Sequence, residues 1–127
     1  MADLARLRAL VVEDEGSVAF LIEDMLEELG CEVAVSVATL AKAVKASRSG
    51  IFDFAILDVN LDGEFVFPAA EILKERQVPF VFSTGYGRAG VPDGFCAYEV
   101  LNKPFTIEEL STKLDLMFKK SKSTGEK

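Results

Sequence analysis

The sequence predicts an α/β protein with a doubly wound parallel sheet, and two observations carry this prediction. Five short apolar segments typical of buried strands alternate along the chain with segments typical of amphipathic helices. Short connections between such elements favour parallel strands with helices on both faces of the sheet. The chain has 127 residues, of which 50% are hydrophobic, so we expect one domain at 1–120 and a flexible tail at 121–127.

The first half of the chain contains three predicted strands and two predicted helices. Ser17 is a candidate N-cap for the first helix, and Gly30 is placed to end it. The second helix is expected to begin after Thr39, another candidate cap, and to end near residues 49–50. The strands are predicted at residues 7–12, 32–35 and 54–57.

The second half continues the alternation with helices that carry clear start signals. Pro68 suits the first turn of a helix that reaches about Arg76. Thr106 and Glu109 have the spacing of a capping box, which opens the last helix. The strands are predicted at residues 78–82 and 98–101.

The fourth helix is the exception in this pattern. Residues 85–94 are rich in glycine and contain Pro92, and both residue types are poor helix formers. We therefore expect a fourth helix that is short, irregular or mobile.

The acidic composition excludes several classes of function. A net charge of −7 disfavours binding to nucleic acid or to anionic membranes, which needs a basic surface. No apolar run approaches the roughly 20 residues that span a bilayer, and the first residues lack the pattern of a secretion signal. With 2 cysteines and no histidine, neither a disulfide framework nor a histidine-bearing zinc site is expected. We expect a cytoplasmic protein without direct contact to nucleic acid or membrane.

Polar side chains follow four of the predicted strands, at the edge where ligands bind in open parallel sheets. This set comprises Glu13, Asp14, Asp58, Ser83, Thr84, Asn102 and Lys103. Carboxylates gathered at one edge repel each other, and a divalent cation relieves that repulsion. We therefore predict a Mg²⁺ site formed by Glu13, Asp14, Asp58 and the backbone carbonyl of Asn60.

Asp58 is the predicted nucleophile, and its attack on a phosphoryl group would form an acyl phosphate. Thr84 could then hydrogen-bond one phosphoryl oxygen, while Lys103 could pair with another. Taken alone, each motif has an ordinary interpretation, such as a solvated acidic loop, a capping aspartate or a surface lysine. Their joint position at the strand ends of one topology favours a functional site.

These motifs resemble the response-regulator receiver domains of two-component signalling. The matching segments are LVVEDE at 10–15, ILDVN at 56–60, ST at 83–84 and KPF at 103–105. The resemblance implies a flavodoxin-like (βα)5 fold with strand order 2-1-3-4-5 and a cis bond before Pro104. It also implies that Asp58 is the phospho-acceptor, Glu13 and Asp14 bind metal, Thr84 is the switch hydroxyl and Lys103 pairs with phosphate. Such a domain catalyses only its own phosphorylation and dephosphorylation.

A narrower likeness is to the alphaproteobacterial "FAT GUY" single-domain receivers. It is carried by LDGE at 61–64 and PFVFSTGY at 79–86, with Ser83 in place of alanine and Gly87 in place of the final tyrosine. The likeness implies a sensor histidine kinase of the HWE or a related type, or a phosphotransfer protein, as phosphodonor. With only a short polar tail after the last helix, we expect signalling by protein–protein contact or action as a phosphate sink.

One position departs from the receiver pattern. Most receivers have an aromatic residue three positions before the lysine, and its ring rotates on phosphorylation, whereas this chain has Val100 there. A valine has no ring to rotate, so Tyr86, close to Thr84, is a candidate replacement switch. The alternative is that Tyr86 simply lies at the surface.

Three rival functions remain open at this point. A metal-dependent phosphatase of the haloacid-dehalogenase type needs a second aspartate two residues after the nucleophile, where this chain has Asn60. A flavodoxin-like cofactor carrier needs a phosphate-binding loop after the first strand, but residues 13–15 are acidic. A degenerate receiver that serves only as a protein-binding module would share the fold.

Overall fold

The computed structural model describes residues 4–125, with side chains described for residues 4–120. Within this range, five parallel strands form one sheet and two short strands form a separate hairpin. The strands are β1 (Arg8–Val12), β2 (Glu32–Val37), β3 (Phe54–Asp58), β4 (Asn60–Leu61), β5 (Glu64–Phe65), β6 (Phe80–Thr84) and β7 (Val100–Asn102). The sheet order is β2-β1-β3-β6-β7, which confirms the predicted order once the hairpin strands are left out.

Four helices cover the two faces of this sheet: α1 (Gly16–Glu28), α2 (Leu40–Ser49), α3 (Phe67–Glu75) and α4 (Ile107–Gly125). Helices α2 and α3 contribute Ala43 and Leu73 to one buried cluster. Helices α1 and α4 contribute Leu26 and Leu114 to a second cluster on the other face. Because both faces are covered, β3 is buried at every residue. The doubly wound fold is thereby confirmed.

Two of the predicted helix starts are confirmed by their hydrogen bonds. The hydroxyl of Thr39 accepts from the Lys42 amide at 3.2 Å. At the capping box, the Glu109 amide donates to the Thr106 hydroxyl at 3.1 Å, and the Thr106 amide donates to Glu109 Oε1 at 2.8 Å. Both caps satisfy backbone donors that a helix start leaves unpaired.

The cap predicted at Ser17 is wrong. Helix α1 begins at Gly16, with Glu15 as the capping residue and no side-chain capping bond. The amide of Glu15 instead donates to Glu13 Oε2 at 3.1 Å. The turn before α1 is therefore held by an acidic residue of the predicted site, and a serine cap is not used. At the other end, Gly30 has a φ of +93°, which confirms it as the residue that ends the helix.

The segment expected to be the fourth helix consists of two short 3₁₀ turns, Gly87–Gly90 and Asp93–Phe95. Its predicted shortness is confirmed. Besides its own backbone hydrogen bonds, basic side chains bind carbonyl groups in this segment and just after it. The Arg88 guanidinium donates to the carbonyls of Cys96 at 3.0 Å and Tyr98 at 2.9 Å, and Lys74 Nζ donates to the Gly94 carbonyl at 3.2 Å.

The loop predicted after Asp58 contains the hairpin formed by β4 and β5. Asp62 and Gly63 at its tip both have positive φ, 55° and 93°, as a type I′ turn requires. The Gly63 amide donates to Asn60 Oδ1 at 2.7 Å, which closes the turn. An aspartate–glycine pair is a recognised hairpin signal, so the sequence did carry this information.

Helix α4 continues to Gly125, so the backbone of residues 121–125 is helical. Residues 126–127 of the predicted tail lie outside the described residues. The domain boundary at residue 120 and the flexibility of the tail stay predictions. Between residues 4 and 125, no helix combines the length and apolar character needed to cross a membrane.

Candidate functional site

The predicted site residues meet at the carboxyl edge of the sheet. Asp58 ends β3 and Thr84 ends β6, while Glu13 follows β1 directly and Lys103 follows β7. Glu13, Asp14 and Asp58 each place a carboxylate oxygen within 4.8 Å of the others. The expected convergence of these three acids is therefore observed, and it follows from the parallel strand directions.

Lys103 is the cation of this cluster. Its Nζ lies 3.0 Å from Glu13 Oε1 and 3.2 Å from Asp58 Oδ2. The lysine side chain is 21% exposed, and both carboxylates are buried. Burial acts to lower the pKa of Lys103, but the bond to Glu13 and the charge of Asp58 outweigh it and raise the pKa. Lys103 is therefore held as an ammonium ion between two acids.

Asp58 has the most strongly shifted pKa among the residues of the site. Burial, the hydrogen bond to Asp14 and the charge of Glu13 raise its pKa to about 7, and Lys103 offsets only part of this. For Asp14, burial acts to raise the pKa, but bonds to Asp58 and Glu13 outweigh it and lower the pKa. Of the two carboxyls, Asp58 is therefore the one whose neutral form the cluster favours.

The donor set fits a hard divalent cation. Mg²⁺ binds carboxylate oxygens and carbonyls and usually keeps several waters. Glu13, Asp14 and Asp58 supply three such carboxylates, and a metal ion would remove the repulsion that raises the pKa of Asp58. Asn60 lies in β4, two residues beyond Asp58, and the contribution of its backbone carbonyl stays a prediction.

Thr84 connects the site with the glycine-rich segment. It is buried, and its hydroxyl accepts from the Tyr86 amide at 3.0 Å. The Thr84 carbonyl accepts from the Lys103 amide at 2.9 Å, which ties the end of β6 to the residue after β7. The Lys103–Pro104 bond is cis, as the resemblance implied. Thr84 thus contacts both a neighbouring strand and the start of the 3₁₀ segment.

The side chain of Tyr86 is 78% exposed, so its ring lies at the surface in this state. Its link to Thr84 passes through the backbone amide alone. Val100, at the position where most receivers have an aromatic residue, is buried in β7. The role of Tyr86 as a switch stays a prediction.

Ser83 is a member of the site to which the sequence assigned no role. It pairs in register with Asp58 across β3 and β6 and is only 1% exposed. Its position beside Thr84 was visible in the sequence, but its position beside Asp58 depends on the register between β3 and β6.

The comparisons with known proteins agree with this geometry. The model of the family "Response regulator receiver domain" matches residues 9–115. The transcriptional regulatory protein TcrA of Mycobacterium tuberculosis is 36% identical over 115 residues, covering 85% of this chain and 44% of that protein. The chain thus spans less than half the length of this curated relative.

Solved structures show the same similarity. The solution structure of SdrG from Sphingomonas melonis is 40% identical with a TM-score of 0.80, covering 93% of this chain and 99% of that one. The receiver domain of the sensor histidine kinase PA1611 from Pseudomonas aeruginosa is 26% identical with a TM-score of 0.72. That comparison covers 89% of this chain and 98% of the other, which has a magnesium ion coordinated in its active-site cleft.

Proposed function

This chain belongs to the response regulator receiver domain family, and from that membership we propose that it is a phospho-acceptor in two-component signalling. The phosphoryl group is received on Asp58 from a sensor histidine kinase or a phosphotransfer protein, with Mg²⁺ bound at the acidic cluster. The observation that carries this proposal is the buried Asp58 carboxyl, which lies among two further acids and the Lys103 ammonium.

The chemistry assigned to Asp58 is a phosphoryl transfer between two side chains. A carboxylate oxygen of Asp58 attacks phosphorus, the bond from phosphorus to the donor imidazole nitrogen breaks, and the acyl phosphate forms. Bound Mg²⁺ would neutralise charge on the phosphoryl oxygens. Lys103 already lies within 3.2 Å of Asp58 Oδ2, so its ammonium can follow the transferred oxygens with a small movement.

The protein itself is proposed to catalyse only its own phosphorylation and dephosphorylation. Asn60 stands where a phosphatase of the aspartyl-phosphate type needs its second acid, which argues against turnover of external substrates. We further propose that the phosphorylated form acts in the cytoplasm by contact with a protein partner or as a phosphate sink. The likeness to SdrG supports a receiver of this kind, and an HWE-type kinase is the proposed phosphodonor.

Phosphotransfer from purified histidine kinases in the presence of Mg²⁺ tests the proposal. Wild type is expected to become labelled, whereas Asp58→Asn is expected to stay unlabelled. Asp62→Asn is the matched control, because it removes a nearby exposed carboxylate at a positive φ that asparagine tolerates. A labelled Asp58→Asn variant, or a wild type that no histidine kinase labels, would overturn the proposal.

A further inference from the structure

Ser83 lies beside the phospho-acceptor position in the central part of the sheet. Asp58 and Ser83 are register partners on β3 and β6. Ile56 and Val81, each two residues earlier on its strand, pack in the same buried cluster. Side chains two residues apart on a strand share a face. Asp58 and Ser83 therefore project side by side from the same face of the sheet.

The side chain of Lys103 passes close to Ser83. Lys103 follows β7, and its Nζ reaches Asp58 on β3 and Glu13 beyond β1. Strand β6 lies between β7 and β3, so the lysine must cross β6 on the face that carries Ser83. The small side chain of Ser83 leaves room for this crossing, and Ser83 is only 1% exposed.

The hydroxyl of Ser83 is an unsatisfied group. Among residues 4–120, its Oγ and that of Ser47 are the buried side-chain oxygen atoms without a hydrogen-bond partner. Buried polar groups in folded proteins are paired in the large majority of cases, because an unpaired one costs free energy. Of these two hydroxyls, that of Ser83 lies beside the proposed phosphorylation site, where a phosphoryl oxygen would give it a partner.

We propose that Ser83 is a phosphoryl-binding residue whose Oγ–H donates to an oxygen of phosphorylated Asp58. This inference rests on the proposed function. Phosphorylation adds oxygen acceptors next to Asp58, and a serine hydroxyl rotates to suit the acceptor it finds. Ser83 is then paired only in the phosphorylated state. Its hydroxyl favours that state over the unphosphorylated one, in addition to the contributions of Thr84 and Lys103.

Titration with beryllofluoride in the presence of Mg²⁺, followed by NMR or calorimetry, tests this role. Ser83→Ala is expected to weaken binding of this phosphoryl analogue roughly tenfold, because one hydrogen bond to a charged acceptor is lost. Ser83→Cys keeps a similar volume with a weak donor and is expected to show a comparable loss. Mg²⁺ affinity without the analogue is expected to match that of wild type in both variants.

Ser47→Ala is the matched control, because it removes the other unpaired buried hydroxyl from helix α2, away from the site. It is expected to bind beryllofluoride as wild type does. Wild-type affinity in Ser83→Ala, an equal loss in Ser47→Ala, or a parallel loss of Mg²⁺ affinity would each overturn the role of Ser83. If Ser83→Ala and wild type both fail to bind the analogue with Mg²⁺, the proposed function itself is overturned.

Discussion

The Lys103 ammonium lies 3.2 Å from Asp58 Oδ2, an oxygen of one of the three acids that would hold a metal ion. Lys103 pairs at the same time with Glu13, so it partly compensates the negative charge that a divalent cation would otherwise meet. The lysine and a metal ion therefore repel each other electrostatically at this cluster, while both attract the phosphoryl group.

Replacing Lys103 by methionine is expected to strengthen Mg²⁺ binding by roughly tenfold at low salt, because the competing cation is removed. The same variant is expected to lose affinity for beryllofluoride, since the ammonium no longer pairs with it. Mg²⁺ titrations at about pH 8.5, where most of the Asp58 carboxyl of the wild type is ionised, measure the first effect. Lys45→Met, on the exposed side of α2, changes the net charge equally and serves as control. Weaker Mg²⁺ binding in Lys103→Met would contradict the electrostatic account.

The raised pKa of Asp58 makes the metal-free protein sensitive to pH. The pKa lies at about 7 in the folded state, against 3.8 for an unperturbed aspartate. The folded state therefore binds the proton more tightly than the unfolded state. The resulting stabilisation is fully present below about pH 4 and is lost as the pH rises through about 7.

Urea unfolding in Mg²⁺-free buffer is expected to show this loss, at up to about 1.4 kcal/mol per pH unit from Asp58 within that window. Asp58→Asn is expected to flatten this part of the profile and to be more stable than wild type at about pH 8, because no charge is buried. Added Mg²⁺ should restore the stability of wild type at that pH and leave Asp58→Asn little changed. A wild-type profile parallel to that of Asp58→Asn would contradict the raised pKa.

Phosphorylation could affect the 3₁₀ segment either through the hydrogen bond between the Thr84 hydroxyl and the Tyr86 amide or through the Tyr86 ring. Two variants distinguish these routes. Thr84→Val removes the hydroxyl that accepts from the Tyr86 amide, whereas Tyr86→Ala removes the ring and keeps the amide. If the ring is the switch, both variants are expected to lose the chemical-shift changes that beryllofluoride causes in residues 87–95. NMR spectra with and without the analogue measure this. A wild-type response in Tyr86→Ala would leave the Thr84 hydroxyl as the route and rule out the ring.

Local sequence signals predicted most of the fold. The strand order was implied by the family resemblance, whereas Thr39 and the pair Thr106 and Glu109 carry their capping chemistry within one helical turn. The acidic cluster was predictable for a related reason, because parallel strands bring their carboxyl ends to one edge. The helix caps and the acidic cluster depend only on residue type, spacing and strand direction.

Two features were not predicted, one local and one that depends on a tertiary contact. Ser17 is not the cap because helix α1 begins one residue earlier, at Gly16, and the Glu15 amide donates to Glu13 Oε2. The placement of the unpaired Ser83 hydroxyl beside Asp58 follows from the register between β3 and β6. This register cannot be read from the residues that neighbour Ser83 in the sequence.

The guanidinium of Arg88 holds the segment that replaces a regular fourth helix, and its removal is expected to loosen that segment alone. Arg88 lies near the start of this segment, and its guanidinium donates to the carbonyls of Cys96 and Tyr98 just beyond its end. These bonds connect the two ends of the segment. Arg88→Ala is expected to lower the free energy of unfolding by only about 1 kcal/mol, since these bonds are solvent-exposed. Amide hydrogen exchange of residues 85–97 is expected to accelerate, with β3 and β6 unchanged. Arg48→Ala, an exposed arginine of α2, is the control.

Beryllofluoride with Mg²⁺ should slow amide hydrogen exchange in residues 85–97 of the wild type if phosphorylation orders this segment. Equal protection with and without the analogue in wild type would show that the segment does not order on activation.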